Sequence, residues 1–148
     1  MNYKVKNYTQ PIIRKLDNDE QYILENDIEV VLKEGNYGYI VRINIKAGAV
    51  WDGLSVPYIF RWFMPNYFID NPLANVAGLV HDSMYASELV AKDTADDMFR
   101  GILRDAGVSR FKTSTAEYLV EKFAKKHYGI EHDKWNLQDF VEISVDSK

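Results

Sequence analysis

The sequence predicts an α+β fold, a small N-terminal antiparallel sheet or hairpin followed by a three-helix unit. Three observations carry that expectation. Residues before position 50 are rich in β-branched side chains and alternate with the period of a half-buried strand. Residues after position 70 switch to the period of an amphipathic helix. A chain of 148 residues, 47% of them hydrophobic, has the size and material of one domain.

The sheet is read first. Residues 28–33 (Ile-Glu-Val-Val-Leu-Lys) and 38–46 form two strands, and in the second Val41, Ile43 and Ile45 alternate with Arg42, Asn44 and Lys46. Gly35-Asn36-Tyr37-Gly38 supplies the turn between them. Residues 1–20 are read as adding a short edge strand. The helices follow. Asn71-Pro72 marks a start, with Pro at the first helical position, and Leu73, Val76, Ala77, Val80 and Met84 mark one face. Asp93 or Thr94 opens a second helix carrying Met98, Phe99, Ile102 and Leu103, and Gly107 closes it. Ser109 caps a third, with Ala116, Leu119, Val120 and Phe123 inside and Gly129 at its end. The acidic tail, 130–148, carries Trp135, Leu137, Phe140 and Val141 and is expected to dock rather than float. The result is a single domain over 1–148: a β-rich part to 50, a helical part over 51–129, and the tail.

Composition narrows the function. A net charge of −4 argues against a nucleic-acid partner. The absence of cysteine excludes a disulfide framework and a thiolate metal site. No window approaches the ~18 apolar residues of a membrane span, and Met1 to Asn7 lacks the apolar core of a signal peptide. The third helix sets Arg110, Lys112, Lys122, Lys125 and Lys126 against Glu117 and Glu121, the pattern of a solvated helix face, with a surface for an anionic membrane or nucleic acid as the alternative.

Three short segments carry the candidate chemistry. In His81-Asp82-Ser83-Met84-Tyr85, His81 and Tyr85 share a helix face, while Asp82 is turned about 100° from His81. That spacing suits a base beside a metal ligand, because imidazole accepts protons near neutral pH and a carboxylate suits a hard cation such as calcium. A His after the apolar run Ala77-Gly78-Leu79-Val80 needs hydrogen-bond partners. Asp96 offers one: Asp96, Phe99 and Leu103 fall at i, i+3, i+7 on one stripe. From there its carboxylate can fix the His81 tautomer, with the Tyr85 hydroxyl steadying it. Asp93 and Asp97 are explained as first-turn acids complementing the helix dipole. The third segment, Trp51-Asp52-Gly53-Leu54-Ser55-Val56-Pro57, allows a tight turn with exposed carbonyls, a calcium-type feature. A plain turn with Asp52 capping the next segment accounts for the same residues.

Together the segments resemble prokaryotic phospholipase A2: an Asp-Gly-x-Ser turn with Pro behind, then His-Asp-x-x-Tyr, then Asp-x-x-Phe. The resemblance implies His81 as general base acting on water, Asp82 and Asp52 as calcium ligands with the Gly53 carbonyl, Asp96 orienting the base and Tyr85 in support. It also implies that the helical unit is of the phospholipase A2 type. The chain resembles, over residues 38–128, an uncharacterised family of small phage and prophage proteins. The shared pattern stands here as Ala47-Gly48, Asp52-Gly53, Ser55-Val56-Pro57, His81-Asp82, Tyr85 and Ala95-Asp96-x-x-Phe99.

Secreted phospholipases A2 are held by disulfides. Here Leu54 stands where their turn has Cys, so packing of Leu73, Val76, Val80, Met98, Phe99 and Ile102 must hold the helix pair. The long gap from Asp52 to His81 contains Trp62, Phe63, Met64, Pro65, Tyr67 and Phe68, a candidate acyl-chain wall, membrane-facing lip or core. The resemblance implies a phage or prophage-encoded, calcium-dependent hydrolase of a lipid or another ester, working in the host cytoplasm or in a virion. The alternative is a non-enzymatic phage protein, a virion or tail accessory or a host-protein-binding factor, with the His-Asp pair as a buried polar network.

Overall fold

The computed structural model describes residues 2–16, 22–51, 71–109, 113–114 and 136–147. Its strands are β1 (Tyr3–Tyr8), β2 (Ile13–Lys15), β3 (Tyr22–Leu24), β4 (Ile28–Glu34), β5 (Ile40–Ile45), β6 (Val50–Trp51) and β7 (Val141–Asp146). Its helices are α1 (Pro72–Ser87), α2 (Lys92–Asp105) and the four-residue α3 (Leu137–Phe140). The fold is α+β, with antiparallel sheets and two main helices among the described residues.

The alternation in β5 builds the hairpin. Val41, Ile43 and Ile45 are buried and stand opposite Leu32, Val30 and Ile28 of β4. The turn is held by the Glu34 carboxylate, which accepts from the Asn36 and Tyr37 N–H groups at 2.5 and 2.7 Å. Gly38 at φ +76° completes it, a conformation open to glycine. The expected edge strand is β1, whose pairing with β4 carries a bulge between Val5 and Asn7. The sheet order is β1-β4-β5-β7, so the fourth strand comes from the far end of the chain and the sheet is not built from N-terminal residues alone. A second, three-stranded sheet has the order β2-β3-β6.

α1 starts where Asn71-Pro72 predicts. The Asn71 side chain accepts from the Ala74 N–H at 3.1 Å, and its amide donates to the Ala106 carbonyl at 2.9 Å. One residue thus caps α1 and ties its start to the end of α2, so the two helices run antiparallel. α2 begins at Lys92 rather than Asp93 or Thr94. Extended Ala91 is the cap position without any side-chain bond, and the Ala95 N–H closes the first turn on the Ala91 carbonyl. Gly107 ends α2 at φ +82°, with Val108 N–H on Leu103 O and Gly107 N–H on Arg104 O, a Schellman close. Thr113 N–H bonds Ser109 O in one further turn. The rest of the expected third helix, from 115 on, lies outside the described residues.

α2 buries Ala95, Met98, Phe99, Ile102 and Leu103 and packs on β1. α1 packs on α2 and is buried on every face from Ala74 to Tyr85. Each fully buried Leu, Ile or Met here contributes roughly 1.5–3 kcal/mol relative to exposure. No helix among the described residues is long and apolar enough to cross a membrane.

Candidate functional site

The antiparallel helix pair decides which polar side chains meet. α1 carries His81, Asp82 and Tyr85 into the interior at 4%, 5% and 4% exposure. α2 turns Asp96 toward them. The His81 Nε2 lies 2.9 Å from Asp96 Oδ1, and the Tyr85 hydroxyl donates to the same oxygen at 2.6 Å. Asp96 Oδ2 accepts from Lys92 Nζ at 2.7 Å. Both carboxylate oxygens are therefore engaged by donors.

The ring of His81 is packed as well as bonded. Its centroid lies 4.1 Å from that of Tyr85 and 4.9 Å from that of Phe99, both tilted. Those contacts and the Nε2 bond fix the ring's orientation. With Nε2 facing Asp96, Nδ1 faces Asp82 Oδ1 at 3.9 Å.

Opposing forces set the charges. Burial pushes the His81 imidazole toward its neutral form, and Asp82 and Asp96 outweigh it, so the pKa is raised above the ordinary 6.5. Burial pushes Asp96 up, but bonds from His81, Lys92 and Tyr85 carry it below the ordinary carboxylate value. Tyr85 is pushed far up, first by burial and then by Asp96, and remains a neutral donor. A basic imidazole on an ionised orienting carboxylate is an arrangement that accepts and returns a proton.

Among the sequence-predicted residues, His81, Asp82, Tyr85 and Asp96 come together, while Asp52 and Gly53 lie outside the described residues. The aromatic stretch Trp62 to Phe68 lies outside them too. Asp97 pairs with Arg100 on the helix surface. Lys92 is the member that sequence reasoning missed. Its i,i+4 spacing from Asp96 was the available signal.

For calcium, Asp82 is the buried carboxylate donor on the described side. Among the described residues no group of three or more His, Asp or Glu side chains could hold a metal ion, so a full site needs oxygens from outside them. The expected partners, the Asp52 carboxylate and Gly53 carbonyl, are of the all-oxygen class that calcium takes. On that donor chemistry the residues fit.

No curated protein and no solved structure matches the chain. A family described as protein of unknown function (DUF1353) matches residues 27–120, more than half of the chain. That span runs from the end of the β3–β4 turn through both main helices and encloses every candidate site residue. The chain belongs to the DUF1353 family, whose members share a domain of unknown function.

Proposed function

We propose that this protein is a calcium-dependent ester hydrolase of phospholipase A2 type, carried by a phage or prophage. The reading extends the α1–α2 pair by a third helix over 109–129, as in the phospholipase resemblance. The observation that carries it is the buried His81–Asp96 bond at 2.9 Å, with the other imidazole nitrogen on the side of Asp82.

In this reading His81 Nδ1 takes a proton from water as the water oxygen attacks the ester carbonyl carbon. Asp96 stays ionised and stabilises the imidazolium. When the carbon–oxygen ester bond breaks, His81 returns the proton to the leaving alkoxide, giving an acid and an alcohol. Asp82, Asp52 and the Gly53 carbonyl would hold calcium, which supplies Lewis-acid polarisation of the ester carbonyl. Lys92 and Tyr85 keep Asp96 in place. A lipid ester is the first substrate to test.

A second reading has one observation in its favour: His81 and Tyr85 are each only 4% exposed, as members of a fold-specifying polar network would be. The protein would then be a virion or tail accessory, or a host-protein-binding factor. One experiment separates the two. Hydrolysis of phospholipid vesicles is measured with millimolar calcium or with chelator, for the wild type and His81→Gln. The hydrolase reading expects calcium-dependent turnover that falls by at least ~100-fold in the variant. It also expects calcium to raise the melting temperature, because a ligand of the native state stabilises it. Turnover equal in the folded variant removes the catalytic role. No turnover together with a flat melting temperature across millimolar calcium favours the polar network.

A further inference from the structure

Among the described residues, the last strand forms one edge of the main sheet. β7 pairs with β5, and among the described residues no strand lies on its other side. The Lys46 N–H donates to the Phe140 carbonyl at 2.9 Å, and the same register continues as Ile45↔Val141. Antiparallel ladders alternate, so positions 142, 144 and 146 face β5 with their N–H and C=O groups. Those of Val141, Ile143 and Val145 point away from it, to the open edge.

Both faces beside that edge have a defined chemistry. On the inner face, Ile143 and Val145 stand with Ile43 and Val41 of β5. A cavity of about 290 Å³ lies there between the sheet and α2, with Val41, Met98, Ile143 and Val145 in its wall and Tyr37 and Tyr39 at its side. Val145 is 60% exposed and Tyr37 68%, large apolar surface that the described fold leaves uncovered. On the outer face the exposed side chains are Glu142, Ser144 and Asp146. The neighbouring cation, Arg42, is already shared by Glu29 and Asp146, and Glu142 has no ion pair among the described residues.

We infer that β7 is the docking edge for an extended peptide of a partner protein, one that alternates apolar with basic residues and adds a fifth strand to the sheet. Its backbone meets the outward N–H and C=O groups of Ile143 and Val145. Its apolar side chains enter the cavity beside Met98, and its basic ones meet Glu142 and Asp146. Charge selects this occupant over a second copy. Two β7 strands side by side would line one outer face with two Glu142 and two Asp146 carboxylates. The inference stands apart from the hydrolase reading, since none of these residues belongs to the His81 site.

The test titrates the full chain into two fluorescein-labelled hexapeptides, Lys-Val-Lys-Ile-Lys-Val and the regrouped Lys-Lys-Lys-Val-Ile-Val, and follows anisotropy. The alternating peptide is expected to bind at least tenfold tighter than the regrouped one. Val145→Pro removes an N–H that points off the edge and leaves the β5 ladder whole. It is expected to weaken binding at least tenfold at an unchanged melting temperature. Should that variant unfold, Glu142→Lys reads the inference by itself, with binding weakened severalfold and less sensitive to salt. Equal affinity for the two peptides overturns the inference. So does a concentration-dependent dimer that Val145→Pro dissolves, which would make the occupant a second copy.

Discussion

Asp96 is held by three donors from three side chains, His81, Tyr85 and Lys92, and only one of them is separated from it by a helix turn. This makes its charge a property of the packed helix pair. The sign of the pH dependence follows. Asp96 is lowered from 3.8, so its contribution is complete above 3.8 and is lost as pH falls through its folded value. His81 is raised from 6.5, so its contribution is complete below 6.5 and is lost as pH rises through its folded value. The pair is at full strength between those two ordinary values. Asp96→Asn keeps the shape and removes the charge. We expect it to lose on the order of 1–3 kcal/mol at pH 5, the worth of hydrogen bonds to a charged group. The difference from wild type should shrink as pH falls below 3.8 through the folded value of Asp96 and as it rises above 6.5 through that of His81. Urea unfolding of both proteins in chelator-containing buffer measures it. No difference at any pH would show that Asp96 acts by shape alone.

At the scale of elements, what was legible was what is local. The Asn71-Pro72 start and the Gly107 stop were readable because a cap is satisfied within four residues of itself. The start of α2 at Lys92 lies one or two residues before the Asp93 or Thr94 that the sequence offers, because Ala91 caps with its backbone alone and leaves no side-chain signature. Lys92 was overlooked for the same reason, since it lay outside the helix as read. Gly101 shows the limit of local reading. In mid-helix a glycine costs about 1 kcal/mol against alanine, and nothing nearby in sequence explains it. The packing does, because a Cβ there would run into the Tyr3 carbonyl of β1. We therefore expect Gly101→Ala to destabilise, by roughly 1–3 kcal/mol as for other overpacked positions, despite its better helix propensity. A thermal melt decides it, and a stabilised variant would mean that α2 and β1 move apart freely.

Over the whole molecule, the fold class could be read from the switch of period near position 50, but the sheet could not be completed from that half. Its fourth strand lies at 141–146, where Val141, Ile143 and Val145 alternate with Glu142, Ser144 and Asp146. The signal was present. It was hidden because pairing to β5 spans about a hundred residues and no local feature announces a partner that distant. The candidate site has the same character. His81 to Asp96 joins two neighbouring helices and was predictable from helix periodicity, whereas Asp52 and Gly53 lie outside the described residues. The distant strand has a mechanical consequence. Removing residues 141–148 takes away buried Val141 and leaves the β7-facing side of β5, from Ile40 to Ile45, without its partner strand. An open, flat, apolar edge strand is an aggregation site. The truncated chain should melt well below the full one and form concentration-dependent oligomers in size-exclusion chromatography, while Arg42→Gln in the full chain, which removes only its two exposed ion pairs with Glu29 and Asp146, should stay within ~1 kcal/mol of wild type. If the truncated chain remained monomeric with an unchanged melting temperature, β7 would be an accessory to the sheet, and the core would close on the N-terminal strands and the helix pair alone.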